Sequence, residues 1–391
     1  QGRQQATFSP GRARRPPRPM DRLRPLLGDV QGCGPPGAAG KRRRLVSGHG
    51  ERKFGAVVEG LAAEDLRCPE VKSALKDVLD ERGGLLILRG LGGLSPQQLV
   101  DLTAAFGDVE THLPPTPVPM HVPGAEGGAV MRIGNTKEPA GGFNASFIRY
   151  SAVEDIAPGE PGFLEAIQYD TQTRTPLWHT DQVFFQTPPA GSVLYCVTAP
   201  PVGADTCFAD ATAAFEALPP ERRGRLEGLE AVCSLAHHDA KVHRNTPSFP
   251  LLSEEKRQKN PPVVVPIVLK HPRTGRKALY AVNQGTCFVR KACDPPPTAD
   301  ELRRAENEEA WEHPSVDQEL RSLLPHATSP DFTVRWRWSE GDVVVWDNRS
   351  TMHCGTSFDA ARYTRELWRT TYHDREHTFA RPLPGPAAEA A

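Results

Sequence analysis

No apolar run in this 391-residue chain approaches the roughly 20 residues that a membrane-spanning helix requires, and no basic n-region followed by an apolar h-region opens it. Neither a membrane partner nor secretion is therefore expected. Charge of one sign is missing as well: 47 Lys and Arg stand against 48 Asp and Glu, which removes the electrostatic reason to propose a nucleic acid partner. The eight cysteines are scattered without a Cys-x-x-Cys pair, so neither a zinc cluster nor a redox dithiol is indicated. Reduced thiols in a cytoplasmic protein are the expectation.

Acids are scarce before Phe54, where Arg, Pro and Gly dominate, as in GRARRPPRP and GKRRR. Residues 1–53 are expected to be a disordered tail, because they contain too few apolar groups to offset the entropy of ordering them. The alternative is an organelle-targeting segment, since transit peptides are Arg-rich and acid-poor. From 54 to 374 the texture is that of one folded domain, and 375–391 thins into a second disordered tail. With 38% hydrophobic residues overall, the chain can bury a sizeable core.

Within the domain, Val71, Ala74, Leu75, Val78 and Leu79 recur at helical period, so Glu70 to Arg82 is expected to be a helix stopped by Gly83 and Gly84. Leu85 to Leu88 reads as a buried strand. Ser95 followed by PQQLVDLTAAFG reads as a capped helix with Pro at its first position and Gly107 past its end. A Pro- and Gly-rich stretch at 113–175 is long enough to be a lid or insert. Further on come short strand candidates at Gln182–Phe185, Gly191–Val197, Val263–Leu269, Ala278–Val282, Phe332–Trp338, Asp342–Trp346 and Trp368–Tyr372. Helical patterns at Ala211–Leu218 and Pro297–Leu324 interrupt them. Many short strands with turn signals and no regular strand–helix alternation point to a mainly β fold with flanking α-helices, a barrel or jelly roll.

The chemistry concentrates at Leu-Trp-His179-Thr-Asp181. Two residues apart on an extended segment, the His and Asp project from one face, as metal ligands must. His353, which follows the buried strand from Gly341 and the turn after it, is the best third ligand. Two imidazoles and one carboxylate form a facial triad that leaves adjacent positions open on an octahedral iron. Arg365 and Arg369 follow, four apart on a β-prone stretch, and a guanidinium inside a barrel calls for a carboxylate. Trp336, Trp338, Trp346 and Trp368 read as core, and His237, His238 and His243 as a solvated loop.

On these residues the chain resembles the taurine/2-oxoglutarate dioxygenase family of the TauD/TfdA type. The match runs through LWHTDQVFFQTPPAGSVLY, GADTCFADATAAFEALP, PIVLKHPRTGRKALYAVNQG, RWRWSEGDVVVWDNRSTMH and RELWRTT. The resemblance implies a double-stranded β-helix (cupin-like jelly roll) in which His179, Asp181 and His353 hold Fe(II). It implies that Thr206 and Arg365 bind 2-oxoglutarate, with dioxygen as the second co-substrate, and that His112 and Arg369 bind the substrate anion. Two further substrate contacts of the taurine enzyme, a Tyr and an Asn, fall on Pro115 and Thr175. Thr175 thus stands at a substrate-facing position, while the polar pocket suited to taurine is not reproduced. The expected activity is hydroxylation of a small anion, a sulfonate such as taurine or a related acid. A catalytically silent small-acid binding protein and a zinc hydrolase are the alternatives, and a homo-oligomer is compatible with either.

Overall fold

The structure is a computed structural model and describes residues 44–47, 54–111, 121–136, 161–162, 177–245, 251–282, 285–307, 314–375 and 379–383. Its architecture is mixed α/β, built on four sheets. The largest has eight strands. In order across the sheet they are Arg44–Ser47, Ala56–Glu59, Leu85–Arg89, Val343–Asp347, Gly191–Thr198, Glu366–His373 and Asp108–Val109, and Met131–Gly134 also pairs with Glu366–His373. Only the Ala56–Glu59 and Leu85–Arg89 pair is parallel; the other pairs in this sheet are antiparallel. The strand Arg44–Ser47 lies before the boundary drawn at Phe54.

Side-chain alternation makes this sheet two-faced. Leu86, Leu88, Val343 and Val345 turn to one side and pack with Val71, Leu75, Val78, Leu99 and Leu102 of the helices Pro69–Glu81 and Pro96–Thr103. Ser95 caps the second helix in a complete capping box with Gln98, as the Ser-Pro start implies. Leu85, Ile87, Leu194, Cys196, Val344, Trp346 and Leu367 turn to the other side, where Phe208, Trp336 and Trp338 complete a second core. Phe208 and Trp336 belong to a three-stranded sheet in the order Thr333–Trp336, Thr206–Asp210, Thr351–Gly355. The two sheets therefore face each other across this core. At Gly191 they leave no room for a side chain: an added Cβ would collide with the Tyr372 hydroxyl and the Trp346 carbonyl.

A third core joins the helices Ala211–Glu216 and Leu323–Ala327 to a four-stranded and a two-stranded sheet. Three expected elements differ. Gln182–Phe185 is a run of turns rather than a strand, because Gln182 takes a left-handed backbone with φ 52° and reverses the chain. Val263–Leu269 divides into Val263–Pro266 and Val268–Lys270, which belong to different sheets. The segment Pro297–Leu324 holds separate helices, Ala299–Asn307, Pro314–Leu320 and one beginning at Leu323. No helix among the described residues is long and apolar enough to cross a membrane, and none of the described cysteines forms a disulfide.

Candidate metal centre

Three elements bring His179, Asp181 and His353 together in the space between the facing sheets. His353 sits on the strand Thr351–Gly355, opposite Phe208 in register, with its ring 4.7 Å from Trp346. His179 is stitched to it by a two-way backbone bridge: His179 N–H donates to the His353 carbonyl at 3.0 Å and His353 N–H donates to that of His179 at 2.9 Å. This bridge fixes the register of two side chains 174 residues apart in the chain (353 − 179). Asp181 follows, and the strained residue Gln182 turns the chain away immediately behind it.

The donor atoms converge. Asp181 Oδ1 lies 3.7 Å from His179 Nε2 and 3.8 Å from His353 Nε2, and all three ligand atoms lie within 4.8 Å of one another. His179 Nδ1 faces the Leu177 carbonyl at 2.8 Å, an acceptor only, so Nδ1 carries a proton and Nε2 is the nitrogen turned toward Asp181. Burial pushes the His353 imidazole down to about 3, helped by His179 and opposed by Asp181, so it is neutral near pH 7. Burial alone would raise the Asp181 carboxyl. Arg369, the two imidazoles and the Ser192 hydroxyl outweigh it and hold Asp181 well below the usual carboxylate range. Ser192 Oγ donates to Oδ2 at 2.8 Å and Arg369 Nη1 lies 3.4 Å from Oδ1. Two imidazoles and a carboxylate aimed at one point match the donor set of a divalent cation.

Beside this centre lies an anion-ready corner. Leu367 and Arg369 alternate along the strand Glu366–His373 and Arg365 immediately precedes it; Leu367 belongs to the core between the sheets, and the same alternation turns both arginines to that side. Arg365 Nε is buried without a hydrogen-bond partner. Burial pushes this guanidinium down to about 10, only partly offset by Cys196 and Asp205, which leaves it charged and short of counter-charge. Thr206 lies buried at the start of its strand and accepts a hydrogen bond from the Trp338 indole at 3.0 Å. Of the three residues expected here, Arg369 reaches Asp181, Thr206 pairs in register with Gly355, two residues beyond His353, and Arg365 stands just before the strand Glu366–His373. His112 and Thr175 lie outside the described residues.

Sequence reasoning missed two neighbours. His237, His238 and His243 are not in a solvated loop but on the helix Leu235–Asn245, where His237 is only 1% exposed. The signal was Ser234, whose hydroxyl accepts from His237 N–H, an N-terminal cap read as loop. The His238 ring packs 4.9 Å from Phe184, three residues beyond Asp181. Burial pushes His238 down to about 4, with Lys241 and His179 adding to the effect, and holds His237 well below the ordinary imidazole value. Both stay neutral in the native state, whereas in the unfolded chain each takes up a proton below about pH 6.5. Stability is therefore full above that pH and falls as the pH drops, by about 1.4 kcal/mol per pH unit for each histidine until the native group titrates. Urea unfolding of the metal-free protein across this range checks it, with a shallower slope expected for His238→Gln.

A second histidine–carboxylate cluster, Asp80, His271 and Asp347, also has its ligand atoms within 4.8 Å of one another. Its imidazole has no lone pair to spare for a metal. The Arg273 and Thr274 backbone N–H groups donate to His271 Nδ1 at 3.2 and 3.1 Å, so Nε2 carries the proton and donates to Asp347 Oδ2 at 3.0 Å. Arg349 spans both oxygens of Asp347 at 2.9 and 2.7 Å, and Arg273 pairs with Asp80 at 2.5 Å. Guanidiniums supply the counter-charge that a cation would bring.

Comparison with solved structures places this fold beside AAD-2, determined in complex with Mn(II) and N-oxalylglycine, at a TM-score of 0.58 and 22% identity over 86% of this chain and 99% of that one. A taurine dioxygenase from Burkholderia xenovorans gives 0.54 and 23% over 88% and 97%. By sequence the chain belongs to the taurine catabolism dioxygenase TauD, TfdA family, whose profile matches residues 45–371. It is 36% identical over 198 residues to the alpha-ketoglutarate-dependent 2,4-dichlorophenoxyacetate dioxygenase of Cupriavidus pinatubonensis, and 30% identical over 238 residues to an alkylsulfatase of Acinetobacter baylyi. These matches span 51% and 58% of this chain, and 60% and 67% of the relatives.

Proposed function

We propose that this chain is an Fe(II)- and 2-oxoglutarate-dependent dioxygenase that hydroxylates a small organic anion and releases succinate and carbon dioxide. One observation carries the reading: the Asp181, His179 and His353 donors converge, and the segment that brings Arg369 to 3.4 Å from Asp181 carries, four residues earlier, Arg365, whose Nε is buried without a hydrogen-bond partner. A metal site alone would also suit a zinc hydrolase. That reading leaves the Arg365 and Arg369 pair without an assigned role.

His179, Asp181 and His353 would hold the metal, and Arg365 with Thr206 would hold the distal carboxylate of the 2-oxo acid. Bound there, iron supplies dioxygen activation coupled to oxidative decarboxylation of 2-oxoglutarate. The protein's share is placement and charge. Leu177 and Ser192 lock the donors, Trp346 and Phe208 wall the His353 ring from water, and Arg369 faces the side where a substrate anion would bind. Charge balance favours an anionic substrate. Asp181, Arg365 and Arg369 together leave one positive charge, a divalent metal and a 2-oxoglutarate dianion cancel, and a monoanion neutralises the remainder. The relatives' names agree, since dichlorophenoxyacetate and alkyl sulfates carry an anionic group. We assign the facing sheets to a double-stranded β-helix; of the stretch 113–175, Met131–Gly134 is a strand of the large sheet and most of the rest lies outside the described residues.

A screen of sulfonates, sulfate esters and aryloxyacetates for 2-oxoglutarate-dependent succinate release tests the substrate class. At least one anionic class should raise succinate release above the substrate-free rate, and uncharged analogues should not. Arg365→Met is expected to raise the 2-oxoglutarate KM by about 10- to 100-fold, the worth of a charge-assisted pair, with kcat at saturation far less affected. An unchanged KM would remove Arg365 from the co-substrate site.

A further inference from the structure

Trp338 looks like an ordinary core aromatic: it is buried and packs with Trp346, Leu367 and Cys196 between the sheets. Its indole N–H, however, points at Thr206 Oγ1 at 3.0 Å. An indole nitrogen donates and never accepts, so the direction of this bond is settled by chemistry. The threonine oxygen is the acceptor, and its own proton must be used elsewhere. Among the described residues this hydroxyl forms no other hydrogen bond, although Thr206 is only 3% exposed and buried donors are almost always matched. Arg365 shares the corner, facing Cys196 and the chain neighbour Asp205, and brings a second buried N–H with no partner. Two unmatched donors and a positive charge describe a carboxylate.

We infer that Trp338 is a positioning residue for the co-substrate: its indole N–H occupies a lone pair of Thr206 and turns the hydroxyl proton toward the distal carboxylate of 2-oxoglutarate. Without the indole, the hydroxyl is free to rotate and present a lone pair to that carboxylate instead. The inference rests on the 2-oxoglutarate reading above and adds a residue that touches neither metal nor co-substrate. Asp205 is also engaged by Arg335, whose Nε donates to its carboxylate at 2.6 Å, so it offsets the Arg365 charge only in part.

The test is calorimetric binding of two acids to Fe(II)-loaded protein without dioxygen: 2-oxoglutarate, and 2-oxobutyrate, which keeps the chelating end but lacks the distal carboxylate. Trp338→Phe should weaken 2-oxoglutarate by about three- to tenfold, the worth of one oriented hydrogen bond, and leave 2-oxobutyrate unchanged. In a Thr206→Val background the same substitution should add nothing. Should Trp338→Phe not fold, 3-benzothienylalanine at position 338 keeps the ring size, lacks the N–H, and should show the same selective loss. Equal weakening of both acids, an unchanged 2-oxoglutarate affinity, or full additivity with Thr206→Val would overturn the inference. Wild-type protein that binds neither acid, or binds both alike, would instead overturn the co-substrate reading beneath it.

Discussion

Asp181→Ala is expected to abolish 2-oxoglutarate-dependent succinate release, by at least about a thousandfold, and to remove stoichiometric iron. The side chain supplies the one anionic donor of the set, with Oδ1 3.7 and 3.8 Å from the two imidazole nitrogens. Its loss leaves neutral ligands and the Arg369 cation facing the metal position. Loss of a single orienting partner around a metal already costs about 10- to 100-fold, and a first ligand with the only negative charge counts for more. Asp181→Asn separates charge from shape: it keeps the Ser192 contact and the side-chain volume, yet should be nearly as inactive. Thermal unfolding and far-UV circular dichroism show whether either variant is folded. An iron-replete, active Asp181→Ala protein would mean the metal sits elsewhere.

Asp347→Ala has the largest expected effect on stability, about 3–5 kcal/mol, because it strands buried cations. Arg349, 2% exposed, loses both its bonds to Asp347 and keeps only Asp374 at 2.8 Å. His271 loses the acceptor for its Nε2 proton. Burial alone would raise the Asp347 carboxyl, but Arg349 and His271 hold it well below its ordinary value. Its contribution is therefore present above about pH 4, where the unfolded group is also ionised, and is lost as the pH falls below that. Since domains are stable by only about 5–15 kcal/mol, the variant should unfold at least about 5 °C lower or fail to accumulate. The same residue shapes the approach to the metal: its backbone carbonyl accepts from the Thr351 hydroxyl at 2.8 Å, two residues before His353. A variant as stable as the parent would show that the network contributes little.

The local signals that survived were those whose physics is local. Val71, Leu75 and Val78 at helical spacing, the Ser95 cap, and the apolar run Val343 to Trp346 each specify an element without help from distant residues. The His-x-Asp pair was visible because two ligands share one extended segment. What could not be read locally depends on backbone or burial set by the fold. Gln182 adopts a left-handed turn that its side chain does not advertise, so an expected strand is absent. The helix Leu235–Asn245 buries His237, Asp239 and Lys241, inverting the polar-outside pattern from which a helix would be recognised. The Asp80, His271 and Asp347 network joins three segments far apart in sequence. Trp338 was identified as core, which it is, but its hydrogen bond to Thr206 follows from how the two sheets face each other.

The most direct test of the central claim is one titration: purified protein with Fe(II), ascorbate and 2-oxoglutarate under air, with succinate measured as metal is added. Succinate should appear only with iron, saturate at one equivalent, and be absent from Asp181→Ala. Succinate production that persists in that variant, or none in wild type at one bound iron per chain across every anionic substrate class, would contradict the account.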